Sequence, residues 1–180
     1  MNKLMMKGKM LLLIMMSLIV ATSCDDDDDD IDLDQLTEES FVQQAGINNL
    51  FEIRTSEVTV DDAETAEVRQ FAEQMIADHT AATNELKALA DAKGLTVPTS
   101  LPQDRQAIVQ RLEGKEGVPL DQDYMDVQVQ SHIESVALFE QAADELDDEE
   151  LRNFAEQTLP LLEAHLEMAR EIEEMTNELE

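Results

Sequence analysis

The stretch VRQFAEQMIADHTAATNELKAL, residues 68–89, decides the fold. Its apolar residues Val68, Phe71, Ala72, Met75, Ala82, Leu86 and Leu89 recur at the spacing of one helix face. A strand would alternate every second residue, and this stretch does not. Thr65 can cap the helix ahead of it, and Glu67 suits its first turn. Lys93 and Gly94 supply the stop signal. The stripe is interrupted at its middle by His79, which follows Met75 by four residues and precedes Ala82 by three.

Three more segments read the same way. Upstream, a helix is expected from Glu38 to Ala63, capped by Thr37. Downstream, Pro119 suits a first helical position, and the stripe Met125, Val129, Val136, Phe139, Ala143 and Leu146 follows. The last helix is capped by Asp147 or Asp148 and carries Leu151, Phe154, Ala155, Thr158, Leu162, Ala169 and Ile172. Pro160 inside it should kink it by removing one backbone hydrogen bond. Between the second and third helices lies a connector, Gly94 to Val118, broken by Pro98 and Pro102, with a short helix at Gln103 to Glu113. A connector this long can cross the length of a bundle. The expected fold is therefore all-α: a ferritin-like four-helix bundle with a short extra helix in its long connector.

Composition agrees with helices and narrows the function. The 180 residues include only 3% aromatics, five glycines and four prolines. The formal net charge is −30. A surface of that sign repels nucleic acid, so no nucleic-acid partner is expected. Hydrophobic residues still make up 43%, enough for a core.

The first 23 residues read as an export signal. Lys3, Lys7 and Lys9 precede an apolar run at residues 10–20, and Ala21, Thr22 and Ser23 lead to Cys24. The run is too short to span a membrane as a helix, which needs about 20 residues. Ala21-Thr22-Ser23-Cys24 resembles a lipobox, where the thiol is acylated before cleavage in front of it. Cys24 is the sole cysteine, so it has no internal disulfide partner. Lipidation of Cys24 would attach the mature chain to a membrane, as each buried methylene adds about 0.8 kcal/mol. The run Asp25 to Asp30 should be an extended, solvated tether. It also resembles the acidic segment that sends some lipoproteins to the cell surface. The organisation expected is residues 1–23 signal peptide, 24–36 lipidated cysteine and tether, and 37–180 bundle. The location expected is the cell envelope, as an outer-membrane lipoprotein on the periplasmic face or cell surface. Without the signal peptide, nine basic residues face 42 acidic ones.

The chain has three histidines: His79, His132 and His165. Each lies on the apolar stripe of a different helix, near its midpoint. If a stripe takes roughly a third of a helix, chance would put all three there about once in 27. Glu52 lies at the midpoint of the first helix, so all four can converge. Three readings stay open, of which the simplest is that the histidines never meet. Another is a Glu52–histidine hydrogen-bond network that fixes helix register. The third is a mononuclear transition-metal site with Glu52, His79, His132 and His165 as ligands for Zn, Fe, Cu or Ni. A di-iron centre would need Glu-x-x-His on two helices, but Ile76, Val129 and Leu162 stand three before the histidines. No nucleophile with an adjacent base, phosphate loop or Cys-x-x-Cys is present, so the reading leans away from an enzyme. The leading expectation is a non-catalytic binding, structural or stress role in the envelope, with metal binding the alternative.

Several pieces together resemble a known family. They are Phe41 and Ala45, Leu50-Phe51-Glu52, Val68-x-x-Phe71-Ala72-x-x-Met75-x-x-Asp78-His79-Thr80, Asp121-x-x-Tyr124-Met125, Ser131-His132, and Phe154-Ala155-x-x-x-Leu159-Pro160-x-Leu162-x-x-His165-Leu166. From Phe41 to Ile172 the chain is similar to domain of unknown function 4142, whose members are often labelled outer membrane proteins. The resemblance implies an exported, ferritin-like helical bundle and no particular reaction.

Overall fold

The computed structural model describes residues 36–179. The expected signal peptide, Cys24 and the aspartate tether lie outside them. Five helices follow in order: α1 (Glu38–Thr59), α2 (Ala66–Lys93), α3 (Gln103–Glu113), α4 (Val118–Glu145) and α5 (Glu149–Asn177). Among the described residues there is no strand, and no helix is long and apolar enough to cross a membrane.

Local chemistry sets the helix ends. Thr37 caps α1 in a reciprocal arrangement with Ser40. Thr65 accepts from the Val68 N–H at the start of α2, and Asp148 accepts from Glu150 and Leu151 at the start of α5. Gly94 ends α2 at φ 71°, a left-handed conformation that costs glycine little. Pro119 sits in the first turn of α4. α5 continues through Pro160.

Two expectations change. The first helix stops at Thr59 rather than Ala63. The Asp62 and Ala63 N–H groups both turn back to the Thr59 carbonyl, and the Asp121 carboxylate accepts from Glu64 and Thr65. That carboxylate pins the chain into a turn the helical pattern does not show. On α4 the buried face is rotated from the expected stripe. Tyr124, Gln128, Ser131, Ser135, Leu138 and Ala142 are buried, whereas Val129, Val136 and Ala143 are only partly covered. A stripe drawn through apolar residues misses polar ones that face another helix.

The topology follows from contacts at the ends. Asp121, at the start of α4, bonds the α1–α2 turn, and the Leu36 N–H, just before α1, donates to Glu145 at the end of α4. α4 therefore runs antiparallel to α1. Gln122 donates to the Thr176 carbonyl, which places the end of α5 beside the start of α4. Lys93 at the end of α2 pairs with Asp148 at the start of α5. The connector thus returns along the length of the bundle before α4 begins, as in ferritin-like folds. α3 rides in it against α1 and α4. At Gly46 a Cβ would stand 2.7 Å from Val97 Cγ1 and 3.0 Å from Pro98 Cδ, so glycine lets the connector press onto α1.

The apolar core is split. One cluster holds Phe41, Val42, Leu86, Phe139, Leu151, Phe154 and Leu162 with their neighbours. The other holds Val68, Phe71, Met75, Leu112, Leu120, Tyr124, Met125 and Ala169. Along α2, α4 and α5 the three histidines fall between the two clusters.

Candidate metal centre

Helical spacing carries each histidine inward. His79 on α2, His132 on α4 and His165 on α5 are 3%, 0% and 0% exposed. Their rings form a nearly equilateral triangle, with centroids 5.6, 5.6 and 5.4 Å apart. One nitrogen from each ring can be chosen so that all three lie within 4.8 Å of one another.

Each ring is held by its other nitrogen. His79 Nδ1 lies 3.0 Å from Asn49 Oδ1, on α1. His132 Nδ1 lies 2.9 Å from the Gln128 carbonyl oxygen, one turn back on its own helix. His165 Nε2 lies 3.0 Å from Asp78 Oδ2, on α2. All three partners are acceptors, so the ring nitrogens facing them carry the protons. The opposite nitrogens, His79 Nε2, His132 Nε2 and His165 Nδ1, then present lone pairs, and all three are buried without a hydrogen-bond partner. Orphaned buried polar atoms are costly, at roughly 1–3 kcal/mol each.

A proton does not resolve this arrangement. Burial pushes the pKa of His79 well below the usual histidine range, and repulsion from His132 and His165 lowers it further. His165 is lowered to about 4, first by burial and then by His132, with Asp78 opposing. A Lewis acid satisfies all three lone pairs at once. Imidazole nitrogens about 2.0 Å from a metal would stand roughly 3.3–3.6 Å apart. Small rotations would close the present spacing to that value. Hydrogen bonds on the non-ligating nitrogens are the usual support of metal-binding imidazoles.

The structure brings together three of the four residues singled out in the sequence and sets the fourth beside them. Glu52 is fully buried on α1, with Oε1 3.8 Å from His132 Nδ1. That nitrogen already faces Gln128, so Glu52 borders the triangle and does not point at its open nitrogens. Ser131 donates to Glu52 Oε1, while Oε2 has no partner. Burial raises the Glu52 pKa, with His132 and Ser131 opposing.

The residues sequence reasoning missed are the supports: Asn49, Asp78, Gln128 and Ser131. Asn49 precedes Glu52 by three and shares its face, which was a usable signal. Asp78 was legible only as the neighbour of His79. Adjacent helical residues point about 100° apart, so Asp78 reaches α5 while His79 faces inward.

A cavity of about 420 Å³ between α3 and α4 is lined by Phe51, Arg105, Asp123, Asp126, Ser131 and Glu134, among others. Arg105 lies 4.5 Å over the Phe51 ring and pairs with Glu134. Ser131 is the cavity's connection to Glu52.

Comparison with solved structures supports the fold. The "CopM in the Cu(II)-bound form" structure superposes with a TM-score of 0.67 at 16% identity, covering 78% of this chain and 97% of that one. A DUF305 protein from Streptomyces coelicolor gives 0.66 at 12% identity, covering 77% and 93%. A DUF305 fragment from Deinococcus radiodurans gives 0.66 at 14% identity, covering 77% and 94%. No curated protein matches the chain. At these identities the likeness is one of fold. The sequence profile described as domain of unknown function (DUF4142) matches residues 28–172, and the chain belongs to that family.

Proposed function

We propose that this protein is a lipid-anchored, extracytoplasmic helical bundle that binds one transition-metal ion through His79, His132 and His165. One observation carries the metal reading. The three buried rings bring one nitrogen each to within 4.8 Å of the others, and each ring has one buried nitrogen with no hydrogen-bond partner. A register-fixing network would join such atoms to one another or to Glu52. Here one nitrogen of each ring meets an acceptor outside the trio, and the other is left without a partner.

Copper is the first candidate among Cu, Zn, Ni and Fe. Imidazole suits all four, and divalent affinity for such ligands peaks at copper. The Cu(II)-bound CopM structure of the same fold points the same way. The acidic exterior raises the local concentration of cations. The role is binding or handling of the ion, a reading supported by the burial of all three histidines. Attachment would come from acylated Cys24, with the aspartate run as spacer.

Metal analysis of untagged protein after exposure to Cu, Zn, Ni and Fe tests the centre. One equivalent of metal is expected, and none in the His79→Ala, His132→Ala double variant. Failure to bind any of the four ions would overturn the reading. The anchor is tested separately: Cys24→Ala should leave the membrane fraction for the soluble one. Retention in the membrane would refute lipid attachment.

A further inference from the structure

The three ligand rings are not held alike. His79 is held by a neutral amide oxygen, His132 by a backbone carbonyl and His165 by the Asp78 carboxylate. Only His165 has a charged acceptor. We propose that Asp78 is the positioning residue that sets the centre's preference for a divalent over a monovalent ion; this rests on the metal reading above.

A carboxylate bound to the N–H of an imidazole draws that proton outward and makes the opposite nitrogen a stronger donor. It also places a negative charge one ring away from the metal. Both effects act more strongly on a doubly charged ion than on a singly charged one. Glu52, the other carboxylate near the triangle, makes no hydrogen bond to a ring. Among the described residues Asp78 pairs with no lysine or arginine, so its charge is not cancelled locally. Its side chain is 32% exposed, and water screens part of that charge. The effect therefore belongs at the lower end of the 10- to 100-fold range known for such supports. Asp78 also fixes which nitrogen His165 offers. His165 binds through Nδ1, while His79 and His132 bind through Nε2.

The test compares Cu(II) and Cu(I) on the full mature chain. Asp78→Asn keeps an oxygen that can accept from His165 but removes the charge. Cu(II) affinity should fall about tenfold, with Cu(I) affinity changed less than threefold. The potential of the bound copper should then rise, by about 59 mV if Cu(I) affinity is unchanged and by about 30 mV if it falls threefold, at 59 mV per tenfold for one electron. Asn49→Asp adds a carboxylate behind His79 and should shift the potential the other way; it carries the test if Asp78→Asn does not fold. An equal loss of both affinities, or an unchanged potential, overturns the role of Asp78 and leaves the centre standing. If the native chain binds neither ion, the centre itself is refuted.

Discussion

The two apolar ends of the bundle and the polar layer between them are built on opposite terms. At one end Phe41, Phe139 and Phe154 meet edge-on or tilted, with centroids 5.3 to 6.4 Å apart, and every contact is apolar. In the middle, Asn49, Glu52, Gln128, Ser131 and three histidines are buried together, and six side-chain atoms among them have no partner. The ends lower the free energy of folding by burying area and filling space. The middle gives up that gain and leaves lone pairs exposed to one another. A chain selected for stability alone would fill this layer with leucine. The contrast singles out the middle as the candidate functional layer, since it weakens the fold unless something binds there.

Three experiments can break or sharpen this contrast. Phe139→Ala should have the largest effect, a loss of about 3–5 kcal/mol in chemical denaturation, because it opens a cavity in a well-packed end. Its loss should be the same with and without metal. A much smaller loss would mean that the end is not the stable half.

Acid should act on the middle. His165 has a folded pKa of about 4, below its unfolded value near 6.5. Between those values the unfolded chain binds a proton that the folded chain does not. Stability of the metal-free protein therefore falls as the pH drops from 6.5 to 4, by about 3 kcal/mol for this group. His79 is shifted the same way and adds to the loss. Replacing His165 with leucine should flatten the profile over this window. An unchanged slope would contradict the assignment.

The smallest change in stability should come from His79→Leu in the metal-free protein. The substitution removes an orphaned buried nitrogen but also takes the donor from the buried Asn49 Oδ1, so the two effects oppose and the net change should stay within about 1 kcal/mol. In the native chain, metal at 100 times its dissociation constant should add about 2.7 kcal/mol. That increment should vanish in the variant. If His79→Leu instead destabilises the metal-free protein as strongly as Phe139→Ala, the middle layer is an ordinary structural core.

Much of this architecture is legible in the sequence. The stripe of α2, the Thr37 and Thr65 caps, an aspartate cap at 147 or 148, Gly94 and the short helix in the connector follow from local chemistry, which acts over one or two turns. The histidines stood out because polar residues interrupted apolar stripes at matching heights. α1 was harder to read. Its buried face includes Asn49, Glu52, Thr55, Ser56 and Thr59, so its apolar signal is weak. The rotated face of α4 escaped for the same reason: Gln128, Ser131 and Ser135 are buried against α1, where polar side chains find partners such as Thr55, Glu52 and Asn48.

The sequence by itself determined where the five helices lie, apart from the end of α1, that the connector is long enough to return along the bundle, and that three imidazoles face a shared core. Those properties depend on spacing and on side chains within a turn of one another. Only the tertiary structure decided which nitrogen of each ring is free. That choice depends on an acceptor brought by another helix to His79 and His165, from 30 and 87 residues away. It also placed the Glu52 carboxylate beside His132, 3.8 Å from the nitrogen that already faces Gln128. Which side chains reach the core follows from spacing, but which ring nitrogen is left without a partner follows from packing.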